Sequence, residues 1–311
     1  MNIVGLEYLV FGIDDMAGGR QFLLDYGLDE AAYDPHEGGL YTALDGTGLI
    51  MRAADDPSLP PLPPKAATPC LRETVHGVDS VETLALIRAE LETDRHVTID
   101  ADGTLHCIDD AGFGVAFMVT RRRAFEARYL GFNVPGQAPG RALNDCAANR
   151  DEMIRPRTLS HVVYFVEDVS KAESFYRRLG FTVTDRFNNL GPFMRPRGTS
   201  DHHTIFLIGS RNDHMVGCNH FTFHLGSANE VLQHGWKFVS KGYKSFWGPG
   251  RHILGSNFFW YFNSPFGATV EFDADMDLHD DHWTPRNIDP DEDNSQIFLL
   301  DARAKWVPGK S

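Results

Sequence analysis

Three neighbouring segments near the C-terminal end decide the fold: GRH at 250–252, NFFWYFNSPFG at 257–267 and ATVEF at 268–272. They predict a loop histidine, an aromatic strand, a Pro/Gly turn and a second strand. Because side chains alternate along a strand, Val270 and Phe272 are predicted to face a core and Glu271 the opposite side. Burying a carboxylate is costly unless a cation meets it. A metal held also by histidines would meet Glu271, and the alternative is a glutamate that faces solvent.

Composition limits the size, the partners and the location of the protein. The chain has 311 residues, enough for two domains that each bury a core. A net charge of -14 argues against a nucleic-acid or membrane partner and favours a small, weakly charged substrate. The four cysteines form no CxxC pair, and the N-terminus has no features of a secretion signal. We therefore expect a cytoplasmic protein.

The two halves of the chain are similar to each other. Residues 6–28 align without gaps on residues 159–181, at a constant offset of 153, and both segments predict a strand followed by a helix. Near the ends of the halves, the segment around Gly112 aligns on the segment around Gly267. The sequence therefore predicts two homologous modules.

Each half predicts the same order of elements: strand, helix, short strands, second helix and closing hairpin. Helices are expected at 16–26, 80–93 and 227–241, and short strands at 39–43, 48–52, 181–186 and 203–209. A basic run and a Pro/Gly-rich stretch mark a connector between the halves. We predict an N-terminal module at 1–120, a linker at 121–155, a C-terminal catalytic module at 156–275 and an acidic extension at 276–311.

The two halves differ where metal chemistry is at stake. His161 in the second half aligns on Tyr8, and Glu271 aligns on Ala116. Further histidines lie in or beside predicted strands of the second half, at His202, His203 and His220. A single strand histidine is more often a packing residue, but several histidines together with one glutamate indicate a metal site. We predict a metal in the second module and none in the first.

These residues resemble those of the type I extradiol ring-cleaving dioxygenases of the vicinal oxygen chelate superfamily. The resemblance rests on His161, the His-His-Thr segment, the His220-Phe pair and a signature in which Tyr261 and Glu271 follow His252 by 9 and 19 residues. It implies an α+β protein of two tandem modules, each built from paired βαβββ repeats that form a half-open barrel. It also implies a homo-oligomer.

The resemblance further implies the roles of the site residues. His161, His220 and Glu271 would bind Fe(II), with Mn(II) as a possible substitute, and leave adjacent positions for a catechol and O2. His203 would be the acid–base residue, with the neighbouring His202, on the opposite strand face, as the alternative. His252 and Tyr261 would form hydrogen bonds with the substrate. Phe187 and Phe193 would form an apolar wall for the aromatic ring, and the alternative is that they pack in the core.

Three functions stay open from the sequence. The first is extradiol cleavage of a monocyclic, bicyclic or carboxylated catechol in the breakdown of aromatic compounds. The second is a glyoxalase-like metal isomerase, which usually draws its ligands from two modules. The third is a metal-free binding protein of the bleomycin-sequestering kind, which has no need of the full set of metal and acid–base residues. Arg195 could bind a substrate carboxylate, although a solvated loop charge is the more common case.

Overall fold

The structure is a computed structural model that describes residues 1–128, 131–149, 151–291 and 295–300. Within these ranges the chain forms two β-sheets, of eight and ten strands, and four α-helices. The predicted α+β class with two tandem modules is confirmed. None of the helices in the described ranges is long and apolar enough to cross a membrane.

The first sheet and two helices come from the N-terminal half. In chain order the elements are β1 (Ile3–Ile13), α1 (Met16–Tyr26), β2 (Asp29–Asp34), β3 (Gly38–Thr42), β4 (Gly48–Ala53), β5 (Cys70–Val78), α2 (Val81–Leu91), β6 (Thr98–Ile99), β7 (Leu105–Ile108) and β8 (Gly114–Val119). The strand order is β2-β3-β4-β1-β5-β8-β7-β6. Two βαβββ repeats meet where β1 pairs antiparallel with β5, and the described strands leave the sheet open rather than closed into a barrel.

The second sheet repeats this plan and gains two strands from the C-terminal extension. Its elements are β9 (Thr158–Val166), α3 (Val169–Arg178), β10 (Phe181–Phe187), β11 (Gly191–Pro196), β12 (Ile205–Gly209), β13 (Cys218–His224), α4 (Ala228–Ser240), β14 (Ser245–His252), β15 (Phe258–Asn263), β16 (Thr269–Ala274), β17 (Arg286–Ile288) and β18 (Gln296–Leu299). The strand order is β17-β10-β11-β12-β9-β13-β16-β15-β14-β18. The two central strands, β9 and β13, pair antiparallel, as β1 and β5 do.

The internal repeat is visible in how equivalent helices begin. The Asp15 side chain accepts a hydrogen bond from the Gly18 N–H at the start of α1, and Asp168 does the same for the Lys171 N–H at the start of α3. Gly27 ends α1 in the left-handed region at a φ of 94°, where glycine pays no Cβ penalty. The aligned residues therefore do the same structural work in both halves.

The four helices and both sheets share one apolar core. Tyr26 of α1 stacks on Phe272 of β16 with ring centroids 4.5 Å apart, and Phe22 meets Phe238 of α4 edge to face at 5.5 Å. A single apolar cluster contains residues of all four helices and both sheets. Each buried phenylalanine of this cluster contributes about 1.5–3 kcal/mol of transfer free energy. Among the described residues, three smaller clusters lie apart from it, one on the first sheet and two on the second.

The C-terminal extension contributes strands to the second sheet, whereas the described part of the linker contributes none. Between Val119 and Thr158, the described residues form no helix or strand, while residues 129, 130 and 150 of the predicted linker lie outside the described ranges. The extension adds β17 parallel to β10 and β18 antiparallel to β14, and its residues 292–294 and 301–311 lie outside the described ranges. The domain boundaries themselves stay a proposal.

Two local predictions at histidines were wrong. His252, predicted in a loop, is the last residue of β14, because that strand pairs on both sides despite the glycines and proline that suggested a loop. The strand predicted to begin at His203 begins at Ile205. The reason is that the backbone N–H of His202 donates to the Asp277 carbonyl in the extension rather than to a strand of the sheet.

Candidate metal centre

Three neighbouring strands of the second sheet bring His161, His220 and Glu271 together. The residues lie on β9, β13 and β16, and one donor atom from each lies within 4.8 Å of the others. The Glu271 Oε2 atom is 3.0 Å from His161 Nε2 and 3.6 Å from His220 Nε2. All three side chains are buried. Among the described residues, no other group of three His, Cys, Asp or Glu side chains meets this spacing.

Strand alternation explains why Glu271 faces this centre. Val270 and Phe272 belong to the core between the sheets, so Glu271 lies on the other face of β16, as the sequence predicted. On β13, Thr222 stands in register with both His161 and Glu271. Its Oγ1 donates to Glu271 Oε2 at 2.7 Å, which fixes the carboxylate between the two imidazoles.

Partners on the far side of each imidazole orient the histidines. The His220 Nδ1–H donates to the side-chain oxygen of Asn219 at 2.5 Å, and Ser160 Oγ lies 2.8 Å from His161 Nδ1. A partner on Nδ1 leaves Nε2 to face a metal and holds the ring in the required orientation. Both histidines therefore present Nε2 toward Glu271.

The charges fit a divalent cation. Burial raises the pKa of Glu271, but hydrogen bonds with His161 and His252 lower it by more than burial raises it. The carboxyl pKa is therefore well below its usual range. Burial lowers the pKa of His220 to about 3, so this imidazole is neutral near pH 7. A buried carboxylate beside two imidazole rings is a donor set that suits iron, manganese or zinc. These residues can hold a metal ion.

The other predicted polar residues surround the same point. His252 Nε2 lies 3.5 Å from Glu271 Oε1 and 3.3 Å from the Tyr261 hydroxyl. The His203 ring centroid is 4.2 Å from that of His161. Burial raises the pKa of Tyr261 well above its usual value, so the hydroxyl keeps its proton. A small molecule at the centre would thus meet a protonated hydroxyl and two further imidazoles.

An apolar wall begins beside His203. The Phe193 ring lies 5.0 Å from the His203 ring, and it stacks on Phe206 at a centroid distance of 3.9 Å. Phe187 lies one ring farther out, 5.4 Å from Phe193. These rings belong to a cluster separate from the main core, whose other buried members are Val163, Leu190, Ile208, Met215 and Leu254.

Arg195 is neither a solvated loop charge nor available to a substrate. It is 1% exposed within β11. Its Nη1 donates to the Thr199 carbonyl and its Nη2 to the Asp280 carbonyl, each at 2.6 Å, and Nη2 also lies 3.0 Å from the Asp281 carboxylate. The guanidinium therefore fastens the C-terminal extension to the sheet.

Strand alternation predicted that the side chains of His202 and His203 point to opposite faces, and this prediction was wrong. Both residues precede β12, and their Nδ1 atoms are 2.9 Å apart. Strand alternation does not apply outside the strand, so the two rings lie in one buried cluster.

Sequence reasoning missed a support from the first module. The Tyr26 hydroxyl of α1 donates to the backbone carbonyl of Glu271 at 2.7 Å. The two residues are 245 positions apart. Nothing in the local sequence of α1 signals such a contact, because it depends on how the helix packs against the other sheet.

The equivalent positions of the first module carry other side chains. Tyr8 and Ala116 stand where His161 and Glu271 stand in the second. Glu73 pairs with Gly114 on β8, the position that His220 holds toward β16, and its Oε1 lies 2.9 Å from His106 Nδ1. This carboxylate already has a partner in His106.

We predict one metal ion per chain, bound by the second module. Tyr8→His should leave the ratio at one, because Ala116 supplies no carboxylate. Metal analysis of the purified wild type and variant measures the ratio. A ratio of two in the wild type would show that the first module binds metal as well.

Part of the chain is similar to a known protein family. Residues 158–272 match the model of the Glyoxalase/Bleomycin resistance protein/Dioxygenase superfamily. The match spans 115 of the 311 residues of the chain. The match covers the strands that carry all three residues of the candidate metal centre. The two tandem modules share their fold with the solved structures described below.

One curated relative is similar in sequence over part of its length. Metapyrocatechase 2 from Cupriavidus necator is 36% identical over 141 residues, which make up 45% of this chain and 43% of that protein. The chain thus matches less than half the length of this relative.

Solved structures share the fold across nearly the whole chain. The Mn(II)-bound glyoxalase from Novosphingobium aromaticivorans is 20% identical with a TM-score of 0.73, covering 93% of this chain and 88% of that one. Homoprotocatechuate 2,3-dioxygenase from Arthrobacter globiformis is 17% identical with a TM-score of 0.72, covering 95% and 87%. The 2,3-dioxygenase LapB from Pseudomonas sp. KL28 is 17% identical with a TM-score of 0.70, covering 92% and 98%. At these identities the likeness concerns the fold.

Proposed function

We propose that the protein cleaves a substituted catechol next to its hydroxyl groups with dioxygen, at an Fe(II) ion held by His161, His220 and Glu271. The observation that carries the proposal is the convergence of this buried group with His203, which lies 4.2 Å from His161 between ring centroids. The similarity to a protein named metapyrocatechase supports the same reaction. Fe(II) is the proposed metal and Mn(II) the possible substitute.

The metal would bind catechol and dioxygen at adjacent positions and let electrons pass between them. The protein residues then handle protons and orientation. His203, whose pKa is held well below the ordinary value by burial, is neutral near pH 7 and can accept a proton from a catechol hydroxyl. It can return that proton to an oxygen atom when a bond to it breaks, so one residue serves as base and then as acid.

Tyr261 and His252 are proposed to hold the substrate oxygens. The Tyr261 hydroxyl keeps its proton and lies 3.3 Å from His252 Nε2, so the two can present donors to an oxygen that gains negative charge. Fixed donors aimed at developing charge stabilise it without reorganisation. Phe259 stacks on His252 at a centroid distance of 4.0 Å, which restricts the orientation of this imidazole.

The surroundings favour an apolar substituent on the catechol over a carboxylate. Phe187, Phe193 and Phe206 form the wall that begins at His203. The Arg195 guanidinium, which the sequence left open as a partner for a substrate carboxylate, donates hydrogen bonds to two backbone carbonyls of the protein. Burying an unpaired carboxylate against this wall would cost several kilocalories per mole.

A glyoxalase-like isomerase is the second candidate, because a Mn(II)-bound glyoxalase shares the fold at a TM-score of 0.73. Such a reaction needs a metal and a base but no dioxygen. Such isomerases usually draw their metal ligands from two modules. Here the first module has Tyr8, Glu73 and Ala116 at the positions equivalent to the three proposed ligands, and Glu73 already pairs with His106.

Oxygen uptake decides between these functions. Protein purified without air and loaded with Fe(II) should consume one O2 per catechol and form a yellow ring-opened product, faster with 2,3-dihydroxybiphenyl than with a dihydroxybenzoate. The control reaction is isomerisation of a thiol adduct of an α-ketoaldehyde, measured under nitrogen. Isomerisation without any catechol-dependent oxygen uptake would overturn the proposal.

The homo-oligomer implied by the resemblance stays a prediction. Sedimentation measurements on the purified protein would test it.

A further inference from the structure

A buried chain of hydrogen bonds leads away from the metal centre through His203. Its Nδ1 lies 2.9 Å from Nδ1 of His202, and Nε2 of His202 lies 2.8 Å from Oδ2 of Asp185. The three residues are 5%, 0% and 0% exposed, so water does not compete for these bonds. The chain therefore joins the proposed acid–base residue to a carboxylate on β10.

The donors and acceptors along the chain can be assigned. Burial raises the pKa of Asp185, but the hydrogen bonds from His202 and Arg286 lower it to about 2, so the carboxylate is ionised and only accepts. Hence His202 donates from Nε2. Burial also lowers the pKa of His202, so this ring carries one proton and its Nδ1 must accept. His203 therefore donates from Nδ1, which leaves its Nε2 unprotonated.

The C-terminal extension holds the carboxylate end of the chain. The Arg286 backbone N–H donates to Asp185 Oδ1 at 2.7 Å, and Arg286 Nη2 donates to Oδ2 at 2.6 Å. The Trp283 indole N–H donates to the Thr184 carbonyl at 3.0 Å, beside the same carboxylate. Asp185 thus has fixed donors on both oxygens, and its orientation does not depend on solvent.

We infer that Asp185 and His202 are positioning residues that fix the tautomer of His203, so that the unprotonated Nε2 is the base for the catechol hydroxyl. The hydroxyl O–H bond breaks, its proton passes to Nε2, and the imidazolium that forms keeps its Nδ1–H bond to His202. The proton later returns from Nε2 to an oxygen of the ring-opened product. The catalytic half of this inference rests on the proposed function, whereas the tautomer of His203 does not.

Asp185→Asn tests the chain because it changes hydrogen-bond polarity with little change in shape. The Arg286 backbone N–H is fixed and should keep the amide oxygen at the Oδ1 position, while the Arg286 side chain can rotate away from the Oδ2 position, so the amide NH2 faces His202 Nε2. His202 would then carry its proton on Nδ1 and donate to His203 Nδ1. His203 would in turn be protonated on Nε2, and the base would be lost. In serine proteases, a wrong tautomer of the catalytic histidine lowers turnover by several orders of magnitude.

The first readout is the tautomer of His203, measured by the NMR chemical shifts of its ring nitrogens in Zn(II)-loaded protein with 15N-labelled histidine. The His203 signal is identified by its loss in His203→Asn. We expect Nδ1–H in the wild type and Nε2–H in Asp185→Asn. Glu73→Gln is the matched control, since it makes the same change at a carboxylate bound to His106 in the first module. If Asp185→Asn does not fold, His202→Leu carries the test, because an apolar side chain removes the acceptor of the His203 Nδ1–H.

The second readout is turnover of the Fe(II)-loaded protein. We expect kcat of Asp185→Asn to fall by roughly 10²–10⁴-fold, with KM for catechol and iron content unchanged and Glu73→Gln at wild-type activity. A wild-type His203 protonated on Nε2, or no tautomer change in the variant, would overturn the chain. A tautomer change with normal kcat would overturn its role in catalysis. If the wild type shows the expected tautomer but none of the catechols tested causes oxygen uptake, the proposed function fails and the tautomer assignment stands.

Discussion

Glu271→Ala will abolish iron binding and, with it, oxygen uptake. The carboxylate is the single anion of the three-residue centre, and its Oε2 lies 3.0 Å and 3.6 Å from the two imidazole nitrogens. Losing a direct ligand should weaken binding by more than the 10–100-fold that follows loss of a residue behind a ligand. His161→Ala and His220→Ala should have the same effect. Iron analysis of protein purified without air measures it.

Folding must be separated from metal loss in this experiment. Glu73→Ala removes a buried carboxylate from the equivalent region of the first module and should keep one iron per chain. Circular dichroism should show the same strand and helix content in all variants, because the core between the sheets contains none of these residues. Full iron and activity in any one of the three ligand variants would refute the ligand assignment.

His203→Asn will lower turnover by roughly 10²–10⁴-fold while iron content stays normal. Asparagine keeps polarity and approximate size but cannot accept and return a proton near neutral pH. His203 contacts the ring of His161 but does not belong to the metal group, so the metal should remain. Single-turnover kinetics with iron measured on the same samples checks both statements.

His214→Asn is the matched control, because this histidine is exposed on the loop before β13. It should turn over like the wild type. Wild-type turnover in His203→Asn would instead assign the acid–base role elsewhere, with His252 as the next candidate because its Nε2 lies 3.5 Å from Glu271 Oε1. The structure also changes the expectation for His202→Asn: strand alternation predicted a milder loss of turnover, whereas the hydrogen bond between the two Nδ1 atoms predicts a strong one.

Local sequence patterns predicted two homologous modules and a glutamate that faces away from the core. Strand alternation placed Glu271 opposite Val270, and the offset of 153 between the halves identified equivalent strands and helices. Both features repeat over a few residues, so they can be read without knowing which strands become neighbours. The resemblance added His161 and His220, which the structure brings within reach of Glu271.

Tertiary structure alone decided the partners of these residues. Asp185 is joined to His202 across 17 positions and to Arg286 across 101, and Tyr26 reaches the Glu271 carbonyl across 245. The same packing removed Arg195 from the substrate and brought His202 and His203 into one cluster. Hydrogen bonds of this kind depend on the final positions of side chains from separate strands and helices. No periodicity in the chain encodes them, so the sequence indicated which residues form the centre and the packed sheets determined how they are oriented.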